Sequence, residues 1–221
     1  MSKRSALIKL FFLNLPLAIL IISCSKGPQK ETEVYKNDFE NNDLLNFTNA
    51  KITAYNNSQV LGRYNSEGFT AQVGNLPKHD LLRITFDLYI HDSWDGNQEA
   101  IGGPDIWEFK ADGNTYISTT FSNTPCAPGT FCPPQSYPAN YLNNNNFPLA
   151  GAYRTDLPGA CSLSGNPGGT IQYKIEKIIR HSANQLTIHC FDKLVQTNTA
   201  DPLCDESWSI DNLQVKAIQL N

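Results

Sequence analysis

Asp92-Ser93-Trp94-Asp95-Gly96 carries more reactive side chains than any other stretch of this chain. Two carboxylates flank an indole where an apolar run ends. Asp105-Ile106-Trp107 and Asp205-Glu206-Ser207-Trp208 repeat the pairing of acid with tryptophan. Hard cations collect several oxygen ligands from carboxylates, amides and carbonyls in irregular loops, so calcium is the chemistry these residues fit. Asp92, Asp95 and Asp105 form one ligand group, and Glu40, Asp205 and Asp211 a second drawn from the chain's two ends. If sheet order brings the 92–105 and 201–206 loops to one edge, they make a single structural site. The same aspartates can accept backbone N–H bonds in Asx-turns without a metal. No EF-hand-like spacing chooses between these uses.

An exposed indole offers a flat face to the apolar side of a sugar, with carboxylates and amides taking the hydroxyls. Trp94 and Trp208 are the candidates, joined by Tyr137 and Tyr141 from a long loop. Trp107 shares an apolar face with Phe109 and reads as a core anchor. Catalysis finds little to work with: there is no GxSxG, HExxH or phosphate-cradling glycine loop. The histidines at 79, 91, 181 and 189 lack metal-ligand spacing, and Glu108 with Glu206 would be the acids of a glycosidase.

The elements that must hold these residues are strands. Ile84, Phe86, Leu88 and Ile90 alternate with polar residues at period 2 and lead directly into Asp92. Similar alternation runs through 170–179, 185–191 and 207–218, and Asp112-Gly113-Asn114 is a hairpin signal. No stretch keeps helical periodicity. The expected fold is all-β, an antiparallel β-sandwich of jelly-roll type. Between the strands, residues 122–168 hold eight of the 13 prolines and four consecutive asparagines. Loops that long are often functional. The rings of Tyr137, Tyr141, Phe147 and Tyr153 would pin this one to the sandwich.

Lys3, Arg4 and Lys9 followed by the apolar run 10–22 make a leader too short to span a bilayer. Ile21-Ile22-Ser23-Cys24 resembles the lipobox of bacterial lipoproteins, which implies cleavage before Cys24 and its lipidation. The expected organisation is a signal peptide at 1–23, a lipidated tether at 24–34 and one sandwich domain at 35–221. The domain would sit on the bacterial cell envelope, most simply the outer membrane, held by its lipid. The mature chain has 14 basic against 21 acidic side chains, a formal charge of −7, which excludes a nucleic-acid footprint. An exported chain favours disulfides. Cys126 with Cys132, around a short Pro/Gly loop, is the first pair. Cys190 continues an apolar alternation as a buried thiol, leaving Cys161 with Cys204; Cys190 with Cys204 is the rival pairing.

From Val60-Leu61-Gly62-Arg63 through Asp92-Ser93-Trp94-Asp95-Gly96-Asn97 and Thr120-Phe121-Ser122-Asn123 to Asp205-Glu206-Ser207-Trp208, the chain resembles a group of bacterial secreted β-sandwich domains. Ser209 stands where that pattern has glycine. Phe39-Glu40 and Ile210-Asp211-Asn212 resemble the calcium-holding ends of galactose-binding-like jelly rolls, and laminin-G or concanavalin-like sandwiches fit the length equally. The bacterial group implies no function; the aromatic-acidic loop cluster on a sandwich without catalytic motifs points to a non-catalytic domain that binds extracellular glycan or another surface polymer. The alternatives are an adhesive envelope protein that takes protein partners through the 122–168 loop, and a glycoside-active enzyme.

Overall fold

The computed structural model describes residues 30–99, 102–124, 126–130, 132–142, 145–196 and 199–220. The expected leader, Cys24 and most of the expected tether lie outside them. Twelve strands and one helical turn follow in order: β1 (Lys30–Asn37), β2 (Phe47–Thr48), β3 (Ile52–Tyr55), β4 (Ser58–Tyr64), β5 (Gly68–Val73) and β6 (Leu81–Asp92). Then come β7 (Ile106–Ala111), β8 (Asn114–Thr120), β9 (Arg154–Pro158), β10 (Pro167–Arg180), β11 (Leu186–Asp192), α1 (Pro202–Asp205) and β12 (Glu206–Gln219). No helix among the described residues is long and apolar enough to cross a membrane.

The strands form two antiparallel sheets, a β-sandwich of jelly-roll type. The seven-stranded sheet runs β3-β4-β12-β6-β10-β9, and the five-stranded sheet β2-β5-β11-β7-β8. The free edge of β12 is shared: β4 pairs with its first half and β1 with its second. Residues 30–34 therefore belong to the fold, not to a tether. Their side chains are polar because β1 is a strand whose faces need little burial; its backbone, paired from Lys30 opposite Gln219 to Asn37 opposite Leu213, fixes it.

Alternation on β6 sends Leu82, Ile84, Phe86, Leu88 and Ile90 into the core, all buried. Across the sandwich they meet Trp107 and Phe109 of β7; the Phe86 ring lies 6.1 Å from Trp107 and 5.7 Å from Phe109. On β12 the inward set changes parity, from Trp208 and Ile210 to Leu213, Val215 and Ala217. The cause is a bulge between Asp211 and Gln214, where Asn212 takes a left-handed φ of 53°. The Asp112-Gly113 turn closes β7–β8 with φ of 47° and 78°, the hairpin its sequence calls for.

Disulfides join Cys126 to Cys132 and Cys161 to Cys204, and Cys190 is a buried free thiol. The rival Cys190–Cys204 pairing is excluded, since Cys190 faces the core on β11. The long loop is stitched down by amides. Gln135 pairs with Asn146, donates to Ala150 O (3.0 Å) and accepts from Ser122 N and Leu149 N, while Asn146 Nδ2 donates to Ser136 O (2.9 Å). One short strand, β9, is drawn from it.

Candidate functional site

Three carboxylates converge where β6 and β7 meet the start of β12. Asp95, Asp105 and Glu206 each place an oxygen within 4.8 Å of the other two. Strand geometry explains two of them. Asp105 precedes Trp107 by two residues, and Glu206 precedes Trp208 by two, so each acid shares the inward side of its tryptophan and caps one end of the core. Asp95 arrives from the loop after β6, bridged to Ser122. Gly96 makes that loop possible: its φ is +72°, and a Cβ there would lie 2.4 Å from Pro134 O.

Asp105 is 2% exposed, and its Oδ2 accepts the N–H groups of Asp95 (2.7 Å) and Gly96 (3.0 Å). Glu206 accepts from the Gln196 amide. Burial, then the neighbouring Asp95 charge, pushes the Asp105 carboxyl up to about 8. Burial, then the charges of Asp105 and Asp95, carries Glu206 to about 9. Burial also raises Asp95. Carboxylates packed this closely either hold protons or share a cation. The donor set is all oxygen, which suits a hard ion.

Of the aspartates expected from sequence, Asp95 and Asp105 meet in this trio. Asp205 stands beside it in α1, where its backbone and side-chain oxygens take the Ser93 hydroxyl, both at 2.8 Å. Asp92 is turned elsewhere, with its Oδ2 buried and without a hydrogen-bond partner among the described residues. Its Oδ1 accepts N–H bonds from Leu163 (2.9 Å) and Cys161 (3.3 Å) and anchors the 161–163 loop, away from the trio. Glu40 and Asp211 are also apart from the trio. Glu40 accepts from Ser58 and from Gln59 N and ties down the β3–β4 hairpin. Asp211 accepts its neighbour's Asn212 N–H in the β12 bulge. The sequence offers Glu206 as a possible hydrolytic acid and the structure places it in the trio; its period-2 spacing from Trp208 is the signal in the sequence.

The sugar-stacking tryptophans are overturned. Trp94 and Trp208 are 0% exposed, their N–H groups bonded to Ser207 O (3.0 Å) and Asp192 Oδ2 (2.7 Å). Indoles at strand ends in a sandwich this size are more favourable buried, where each removes a large apolar surface from water. Trp107 is a core anchor as expected. Tyr137 packs 5.0 Å from Phe121 and 5.1 Å from Tyr173, pinning the loop instead of facing a ligand. Tyr141 is partly exposed, with its N–H on Ser118 O.

Glu108 and Glu206 do not face each other as a catalytic pair. Glu108 is held by Lys193 (2.6 Å), Lys110 (3.3 Å) and the Ser118 hydroxyl, while Glu206 belongs to the trio. A line that sequence did not reveal runs Thr170–His91–Ser209: the imidazole nitrogens lie 2.9 Å from Thr170 Oγ1 and 2.7 Å from Ser209 Oγ. It has the geometry of a nucleophile and base, but all three residues are 0% exposed, and burial lowers His91 to about 3. A threonine occupies the place of the orienting carboxylate. The line is structural, and Ser209 fills it where the resembled pattern has glycine.

No family model matches the chain, and no curated protein matches it. Among solved structures it is similar to a family 35 carbohydrate binding module from Clostridium thermocellum, at 10% identity and TM-score 0.34, covering 85% of this chain and 97% of that one. A second is the C-terminal CBM6 of LamC from Zobellia galactanivorans, at 10% identity, TM-score 0.31 and coverage of 85% and 98%. A third is dimeric latent PorU from Porphyromonas gingivalis, at 10% identity and TM-score 0.37, where the match covers 89% of this chain and 14% of that one. Likenesses at this level carry no argument about the site. What the chain does must be read from its own residues, which make it an all-β antiparallel sandwich with a buried acidic trio at one end.

Proposed function

We propose that this chain is a non-catalytic binding domain of the bacterial cell envelope, lipid-anchored through Cys24, which takes extracellular glycan or another surface polymer. Its loop end is braced by calcium. The observation that carries this reading is the Asp95–Asp105–Glu206 trio: three carboxyls at the junction of three elements, with Asp105 held by two backbone N–H groups, brace loops around an ion better than they perform proton transfer. The Ser209–His91 contact, the nearest approach to a catalytic pair among the described residues, is sealed from any substrate.

Calcium bound here would gather the 93–105 loop and the start of β12 into one rigid end, with Asp205 at its margin. The test is metal analysis of the dialysed protein, with pull-downs on insoluble polysaccharides and a glycan array in calcium and in chelator. About one calcium per chain and calcium-dependent retention are expected. Absence of both metal and retention overturns the reading.

A second reading has one observation in its favour. Leu142 is 79% exposed and Phe147 82% exposed in the long loop, apolar side chains of the kind a protein partner covers. Replacing both with serine would abolish partner capture on that reading and leave glycan retention unchanged on the first.

A further inference from the structure

The outward face of the seven-stranded sheet holds a depression that neither the acidic trio nor the core uses. Tyr55, Tyr89, Arg154, Leu157, Gln172 and Asp211 line it. Tyr89 is half-buried, its ring parallel to His91 within 10° and 5.6 Å from Tyr55. His91, two residues along the same face of β6, is fixed by Thr170 and Ser209 and gives both tyrosines a rigid neighbour.

The polar groups around these rings have capacity left over. Gln172 is 6% exposed, yet its side-chain amide makes no hydrogen bond among the described residues. Neither amide atom is among the sealed polar atoms that lack a partner, so the group stays open to water and can exchange that water for a ligand hydroxyl. Asp211, 5% exposed, has one oxygen on the Asn212 N–H and the other without a donor among the described residues. Arg154 gives Nε and Nη2 to Asp156 and leaves Nη1 over. An aromatic face, an amide, a carboxylate oxygen and a guanidinium N–H thus open on one space.

We infer that this depression binds a neutral, hydroxyl-bearing pyranose of a glycan, its ring against Tyr89 and its hydroxyls shared by Gln172, Asp211 and Arg154. The inference rests on the glycan-binding reading above and gives it a place. Charge selects the class. Asp87 lies directly opposite Asp211 in the register, and the Glu40 charge also reaches it, while Arg154 is offset by Asp156. Lys174 pairs with Asp87 (3.5 Å) as Arg154 does with Asp156, so a uronate or sulfate would meet the Asp211 carboxylate with no cation left over, whereas a neutral sugar can donate a hydroxyl to its open oxygen. The strip continues along β6 past Asp87 and Lys174 to Thr85. That is about 13 Å of strand from Tyr89, room for a short oligosaccharide.

Affinity electrophoresis of the full domain in calcium, with soluble β-glucan, xylan, mannan and polygalacturonate, tests the inference. At least one neutral polymer should retard the wild type, and polygalacturonate should not. Gln172→Ala and Tyr89→Ala should each weaken retardation about tenfold, as loss of a central contact does. Melting curves establish that the variants fold; if either does not, amide shift mapping on the wild type replaces it, with perturbations expected around Tyr89 and Gln172. A neutral polymer that retards the wild type and both folded variants equally, or shifts that cluster elsewhere, overturns this placement and leaves glycan binding standing. Retardation by polygalacturonate as strong as by neutral polymers overturns the assigned class. If no polymer retards the wild type, the placement and the glycan reading fall together.

Discussion

Asp105 and Glu206 place an electrostatic load at the mouth of the core, and its response to pH has a definite sign. Their folded values, about 8 and about 9, lie above those of a free carboxyl. Without a cation, the stability tied to these protons is fully present below about pH 4 and is lost as pH rises through the folded values. In chelator, therefore, the melting temperature should fall by roughly 10 °C between about pH 5 and pH 9. Calcium should cancel that fall, because the ion replaces the protons. The Asp105→Asn, Glu206→Gln double variant should show neither slope nor calcium response. Differential scanning calorimetry in chelator and in calcium checks this, and superimposable pH curves would remove the ion from the site. At this scale the sequence was only partly legible. Asp95 and Asp105 could be paired from their company as neighbouring carboxyls, but Asp92 looked equivalent and gives one oxygen to the 161–163 loop. Whether a carboxyl joins the other acids or takes backbone N–H groups is set by a loop 69 to 71 residues away, which local spacing does not encode. The burial of Trp94 and Trp208 was hidden for the same reason.

Among the elements, β12 depends most on one residue. Asn212 takes the left-handed conformation that shifts the inward set from even to odd positions, and its Nδ2 reaches Asp87 (3.0 Å). Asparagine tolerates that region and β-branched residues do not. Asn212→Val should cost about 1–2 kcal/mol, and Asn212→Gly within about 1 kcal/mol of wild type, measured by urea unfolding. Equal costs for the two would show that the bulge is not held by its backbone conformation. The Cys161–Cys204 bridge ties the loop that holds Asp92 to α1, across a separation of 43 residues. Loop-closure entropy puts its contribution at about 4 kcal/mol, against about 2 for the six-residue Cys126–Cys132 separation. Replacing Cys161 and Cys204 with serine should therefore lower the melting temperature well beyond the Cys126, Cys132 double replacement; the reverse order would contradict this account. Strand alternation and the Cys126–Cys132 bridge could be read from sequence because each is local, whereas Cys161–Cys204 and its rival Cys190–Cys204 are separated only by the burial of Cys190 in the core. β1 could not be read: Lys-Glu-Thr-Glu-Val has no pattern of its own and becomes a strand only because half an edge of β12 is open to it.

Across the whole molecule, the strand directions give the domain two unlike ends. Lys30 pairs with Gln219, at the end where β6 begins with Leu81 and β10 finishes with Arg180. Glu206 and Asp92 lie at the other end, with Asp95, Asp105 and the loop in which Asn145 meets Asn97 (3.1 Å). The chain thus enters the fold at the end opposite the acidic trio. Thirteen steps of β12 separate Gln219 from Glu206, about 43 Å at the usual rise per residue. A lipid on Cys24 would then set the Lys30 end against the bilayer and point the loop end outward, a posture that follows from the anchor and the topology together. Lys78 lines a depression with Lys30, and Phe147 stands in the long loop, so the two report on opposite ends. Cys190 is buried and its thiol is raised by burial, leaving it unreactive to labels. A fluorophore on Lys78→Cys in the lipidated protein on vesicles should be quenched strongly by headgroup-labelled lipid, and one on Phe147→Cys only weakly. Equal quenching would mean that the domain lies flat on the membrane, and stronger quenching at 147 that its loops face the lipid.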